Sequence, residues 1–200
     1  MAKYQFGSMP TWWLRQNAFL SNLPGNNVGE GIAAMKCLLA FSVLIDFQTR
    51  EVDVSITDLE SITGLSRPMV IKGVARLEAL KIIAVDKTNY RHNYKLLNKS
   101  TDIGWAKVPV DLMRRQLKAI SNRGSAPFVA LKIYITFLGL RPNNSVNVKI
   151  SHEKIREYTR VQGNQIRAGL DVLFSCSIIH LQPRDELSEA NEYRLLGLSV

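Results

Sequence analysis

From Ser66 to Val85 the chain reads SRPMVIKGVARLEALKIIAV, and Val70, Val74 and Leu77 recur at helical spacing, so one buried stripe runs along a predicted helix. Ser66 is a good N-cap, and Pro68 falls in the first turn, where a missing N–H costs little. Arg67, Met69, Lys72 and Arg76 fall mostly on the opposite face. Upstream, Thr57 to Thr63 predicts a short helix with Leu59 and Ile62 inward, followed by a turn at Gly64. Downstream, Ile82 to Val85 reads as a strand, Lys87 to His92 as a polar loop, and Tyr94 to Leu97 as a second strand. An apolar helix over residues 32–47 carries Met35, Leu38, Leu39, Phe41 and Leu44, and Val52, Val54 and Ile56 alternate as a short strand.

The same pattern returns about a hundred residues later. A shift of 96 positions aligns Ala34–Phe41 with Ala130–Phe137 and matches Leu59 with Ile155, Ile62 with Tyr158, Val70 with Ile166 and Leu77 with Leu173. The strand aligns at a shift of 94, placing Val52, Val54 and Ile56 on Val146, Val148 and Ile150. Ile82-Ile83 falls on Ile178-Ile179, and Tyr94-Lys-Leu-Leu97 matches Tyr193-Arg-Leu-Leu196. Gly73 and Gly169 also coincide, each inside a helical pattern where glycine costs about 1 kcal/mol against alanine. A close helix–helix approach at both positions would explain them.

The run Ile56-Thr-Asp-Leu-Glu-Ser-Ile-Thr-Gly-Leu-Ser-Arg67, with Val70, Leu77 and Ile82-Ile83 after it, resembles the core of bacterial winged-helix DNA-binding domains. That resemblance implies a helix-turn-helix whose second helix lies in the major groove, with Lys87 to His92 as the hairpin wing. Trp105-Ala-Lys-Val-Pro-Val-Asp-Leu112, ahead of a basic helix through Arg114, Arg115 and Lys118, is similar to the opening of winged-helix domains in phage and plasmid replication proteins. The expected fold is mainly α with small β-hairpins (α+β), built as two winged helix-turn-helix domains in tandem. The first spans 1–98 with an N-terminal extension and the second 103–200, joined by a polar linker at 98–102.

Charge narrows the function classes. Over 200 residues, 26 Lys and Arg face 17 Asp and Glu, a net charge of +9. The excess is spread over both halves, which suits a polyanionic partner. Cys37 and Cys176 lie in apolar helical stretches and read as buried thiols rather than a disulfide. The N-terminus lacks the apolar run of a signal peptide, and the longest apolar-looking run, Cys37 to Ile45, is far below the roughly 20 residues that span a bilayer. The expectation is a cytoplasmic protein associated with a bacterial nucleoid or plasmid, without a membrane partner, acting as a monomer or homodimer. His92, His152 and His180 have no metal-ligand spacing, and no nucleophile, paired-carboxylate or dinucleotide motif is visible. Neither catalysis nor a cofactor is expected.

The candidate DNA-binding residues follow from the two helix-turn-helix patterns. In the first, Ser66, Arg67, Met69, Lys72 and Arg76 lie on the reading helix, and Lys87, Asn89, Arg91 and His92 on the wing. In the second, Gln162, Asn164, Gln165 and Arg167 open the helix, where Gln and Asn can pair with adenine and Arg with guanine. Arg114, Arg115, Lys118 and Arg123 could add phosphate contacts. The second wing, Pro183 to Glu192, is acidic and should point away from DNA or meet a protein. Gly25 to Gly31 reads as a flexible connection. Trp12, Trp13, Leu14, Phe19, Leu20 and Leu23 should pack a leading helix onto the first domain. Two functions compete: sequence-specific binding of double-stranded DNA, in transcription control or at a replication origin of a plasmid, phage or other mobile element, and a non-enzymatic tandem winged-helix scaffold. The scaffold, like the accessory subunits of chromosome-condensing complexes, would bind protein through the Trp12-Trp13 cluster or the acidic wing.

Overall fold

Two serines set the frame. Ser55 and Ser151, 96 positions apart, each cap a helix by accepting the backbone N–H three residues on, from Asp58 at 3.1 Å and Lys154 at 3.2 Å. The computed structural model describes residues 5–15, 19–88, 91–98, 104–183 and 190–199. Its first half runs β1 (Phe6–Pro10), α1 (Trp12–Arg15), a 3-10 turn (Leu20–Asn22), α2 (Val28–Leu44), β2 (Glu51–Val54), α3 (Ile56–Thr63), α4 (Arg67–Ala79), β3 (Ile83–Asp86) and β4 (His92–Leu96). The second half runs β5 (Trp105–Pro109), α5 (Val110–Gln116), α6 (Ser125–Leu140), β6 (Asn147–Ile150), α7 (His152–Thr159), α8 (Gly163–Ser175), β7 (Ile179–Leu181) and β8 (Asn191–Leu195). The fold is α+β, with eight α-helices and small antiparallel sheets among the described residues.

Each half closes a three-stranded antiparallel sheet, in the order β2-β4-β3 and β6-β8-β7. Three details differ from the sequence expectation. Ile56 is the first residue of α3 rather than the end of a strand, because Ser55 ends β2 by capping that helix. The 96-residue offset therefore holds through the strand as well, pairing Val52 and Val54 with Val148 and Ile150. Gly29 and Gly31 belong to the first turns of α2, not to a flexible connection; a Cβ at Gly31 would lie 2.4 Å from the Phe128 ring of α6.

The core repeats in atomic detail. Phe41 stacks on Tyr94 with ring centroids 4.5 Å apart, and Phe137 packs on Tyr193 at 4.8 Å. The glycine pair does what its position suggested. A Cβ on Gly73 would stand 2.7 Å from the Ala33 backbone, and one on Gly169 would stand 2.6 Å from Val129 Cγ1. Ala33 and Val129 are themselves 96 apart, so α4 lies against α2 as α8 lies against α6.

The halves interlock through their lead-in segments. β1 pairs antiparallel with β5, Ser8 opposite Lys107, Phe6 opposite Pro109 and Pro10 opposite Trp105. Aromatic and proline ends match between the two strands, so a local two-fold axis passes through the Ser8–Lys107 pair. Trp12, Trp13, Leu14, Phe19, Leu20 and Leu23 are all buried, but not onto the first half alone. Leu14 fills the space beside Gly139 of α6, and Lys118 of the second lead-in lies against Gly64 between α3 and α4. One continuous apolar core runs through both halves. Residues 99–102 of the expected linker lie outside the described residues.

Two buried lysines tie the exchange together. Lys36 in α2 donates to Thr63 O at 3.0 Å, Ile120 O at 2.6 Å and Asn122 Oδ1 at 2.7 Å. Its counterpart Lys132 in α6 donates to Thr159 O and Leu23 O, both at 3.0 Å. Each ammonium thus joins the end of its own half's first capped helix to the other half's lead-in. Burial lowers both groups to about 8.

Replacing Lys36 with Met strands buried carbonyl oxygens and should cost about 2–4 kcal/mol, read from urea unfolding. The pH dependence has a definite sign. With a folded value near 8 and an ordinary value of 10.5, the unfolded chain holds the more protons between those limits. Stability from this lysine should rise with pH from 8 to 10.5, a slope that K36M reduces. Gly73→Ala gains helix propensity yet forces α4 from α2, and should lose about 1–3 kcal/mol net in the same unfolding measurement.

Candidate nucleic-acid interface

The outward faces of α4 and α8 are the positions left over once the core stripe is buried. On α4, Val70, Gly73, Val74 and Leu77 face inward, leaving Arg67, Pro68, Ile71, Lys72 and Ala75 exposed. On α8, Ile166, Gly169, Leu170 and Leu173 are buried, leaving Asn164, Arg167, Ala168 and Asp171 exposed. Both helices begin just after a left-handed residue, Gly64 (φ 68°) or Arg160 (φ 54°), which turns the chain between paired helices.

Among the first set of candidates, Arg67 and Lys72 are free to reach outward. Arg67 Nη1 lies 3.9 Å from Glu60, a loose contact with the arginine side chain 60% exposed. Ser66 is the N-cap and exposed, but its hydroxyl does not cap the helix. Met69 is half-buried and packs against the core. Arg76 is the clearest correction: its guanidinium donates to Asn22 O at 2.5 Å and sits 3.5 Å from Glu30. Helical periodicity put it on the outer face, and its long side chain bends back to fasten α4 to α2 and the lead-in.

The wing candidates divide similarly. Lys87 Nζ lies 3.4 Å from Glu78 of α4 but stays largely exposed. Arg91 is exposed, and its charge assists the Ser55 hydrogen bonds that hold the Asp58 carboxyl below its ordinary range. His92 belongs to β4, half-buried, with Nδ1 3.4 Å from Tyr94 Oη. Asn89 lies outside the described residues, as does most of the acidic second wing, 184–189. Glu192 of that wing is in β8 and accepts from Asn147 Nδ2 at 2.8 Å.

In the second half Asn164 and Arg167 project outward, and Gln162 is exposed but its side chain accepts the Gln165 backbone N–H as one half of a capping box. Gln165 turns back, its Oε1 accepting the Gln162 backbone N–H at 3.4 Å, so it caps α8 rather than reaching out. Two outward residues went unnoticed in the sequence. Ile71 is 50% exposed between Arg67 and Lys72, as an apolar side chain suited to a thymine methyl would be. Asp171 takes the place of Ala75 and makes the second face less basic than the first. The signal for Ile71 was an apolar residue off the buried stripe.

The exchanged lead-in also adds charge. Arg114 and Lys118, from the second half, line one groove with Asp58, Ser61 and Ile62 of the first. Trp12 and Trp13, by contrast, are 0% and 1% exposed, so this cluster is core and offers no partner surface. Among the described residues no cluster of His, Cys, Asp or Glu is arranged to hold a metal ion, and no helix is long and apolar enough to cross a membrane. No protein-family model and no curated protein matches the chain.

Proposed function

We propose that the chain is a sequence-specific double-stranded DNA-binding protein made of two winged helix-turn-helix units, acting at a promoter or at the replication origin of a plasmid, phage or other mobile element. The observation that carries this reading is the repeated capped helix, left-handed turn and second helix, each with an outward face free of core packing. Arg67, Ile71 and Lys72 on one unit and Asn164 and Arg167 on the other are the reading residues, with Gln162 and Gln165 both engaged in capping α8. Lys87 and Arg91, with Arg114 and Lys118 beside α3, supply phosphate contacts.

The local two-fold axis bears on the target. Two heads related by such an axis read half-sites of opposite orientation, as the subunits of a dimeric regulator do, about 34 Å apart for one helical turn. Because the outward residues differ, the half-sites are expected to be inverted but unlike in sequence. The scaffold reading loses its tryptophan surface to burial.

Fluorescence anisotropy on random duplex should give binding that weakens steeply with salt, since each neutralised phosphate releases a counterion. No binding at low salt would end this reading. R67A with K72A should cost roughly 1–3 kcal/mol on a selected site. R76A should instead lower the urea midpoint while leaving affinity near that of the parent, because its partners are Asn22 and Glu30.

A further inference from the structure

The two lysine sites are equivalent in position but not in occupancy. At the first, the Asn122 side chain fills the gap, its Oδ1 accepting from Lys36 while its Nδ2 donates to Gly64 O at 2.6 Å. Asn122 stands two residues beyond Ile120, whose carbonyl also accepts from Lys36. At the second site the matching carbonyl is that of Leu23, and two residues beyond it stands Gly25, with no side chain to offer. A pocket of about 270 Å³ remains there, lined by Gly25, Phe128, Lys132, Arg160, Gln162 and Gln165 among others.

Three features of this pocket point to a ligand. Lys132 is only 3% exposed, yet its ammonium has two oxygen acceptors where Lys36 has three, and otherwise faces the Phe128 ring at 4.7 Å. Arg160 replaces Gly64, so a second cation lines the pocket, and none of the lining residues is acidic. On its far side Arg160 also borders a separate groove with Glu153 and Glu157. Gly25 is not demanded by the backbone: its φ is outside the left-handed region, and a Cβ built there meets nothing within 4 Å.

We infer that this pocket binds a small anion, a carboxylate or a phosphate, whose oxygen takes the place that Asn122 Oδ1 takes beside Lys36. The two cations select an acceptor at both ends, which an anion provides and an amide does not. Bound there, the anion joins α6, the first lead-in and the start of α8, where Gln162 and Gln165 sit. The group could arrive as a free solute or as a backbone phosphate of nucleic acid.

The test is thermal melting of the full chain in potassium phosphate or acetate against chloride, at matched pH and ionic strength. Phosphate stabilises folded proteins generally by surface exclusion, so the quantity read is the parent's response beyond that of Gly25→Asn, which rebuilds the plug. At about ten times the dissociation constant the parent should gain about 3–5 °C more than G25N. Arg160→Gln should require roughly tenfold more anion for the same shift. Equal responses from parent and G25N to both anions would overturn the site and leave the pocket to water. A second arm, which rests on the DNA-binding reading, measures G25N on duplex without free anion. Unchanged affinity identifies a free solute as the source, and weakened affinity identifies the backbone phosphate; the melting arm stands whatever the duplex result.

Discussion

Everything in this molecule leans on an ammonium group placed where water cannot reach it. Removing such a charge from water costs several kcal/mol unless its hydrogen bonds are replaced. Lys36 replaces all of them, using carbonyls that would otherwise be orphans at a helix end and at a loop. No apolar side chain could take this role, because the oxygens converging there come from both halves of the chain. Lys132 makes the reciprocal tie. The paired helices of each half are therefore tied to the lead-in of the other as well as to their own, and one apolar core runs through both halves.

That reciprocity has a geometric consequence. Strands β1 and β5 pair about a local two-fold axis, and β1 packs on α2 of its own half. Leu14 and Leu23 of the first lead-in and Lys118 and Ile120 of the second reach the opposite half. The result is one interlocked support presenting two outward helices from a single polypeptide. The inward faces stay alike because glycine contacts, stacked rings and caps leave little room for change. The outward faces diverge freely: Ile71 corresponds to Arg167, Lys72 to Ala168 and Ala75 to Asp171.

Arginine and glutamine show where linear reading misassigns chemistry. Arg76 and Gln165 both fall at outward or nearly outward helical positions, and both are consumed by structure, one by Asn22 and Glu30 and the other by the start of its own helix. A long side chain can reach back over several ångströms, so its Cα position does not decide its partner. Short or stiff side chains obey periodicity better. Val70, Leu77, Ile166 and Leu173 are all buried where spacing put them.

What the amino-acid sequence determined alone was the larger part of what contacts between near neighbours govern; the Ser55 and Ser151 caps and the Gln162–Gln165 box are local and still escaped it. Apolar spacing marked both pairs of helices, Ser66 and Gly64 marked the start and turn in the first pair, and self-similarity marked the repeat together with the glycines on which α4 and α8 close. What only the tertiary structure decided was every pairing across the repeat. The two-fold pairing of β1 with β5, the crossing parts of the lead-ins, the burial of Trp12 and Trp13 and the lysine ties join residues up to 109 positions apart. No local pattern encodes such a contact, because it depends on which of two equivalent surfaces a segment meets, and both surfaces carry the same pattern.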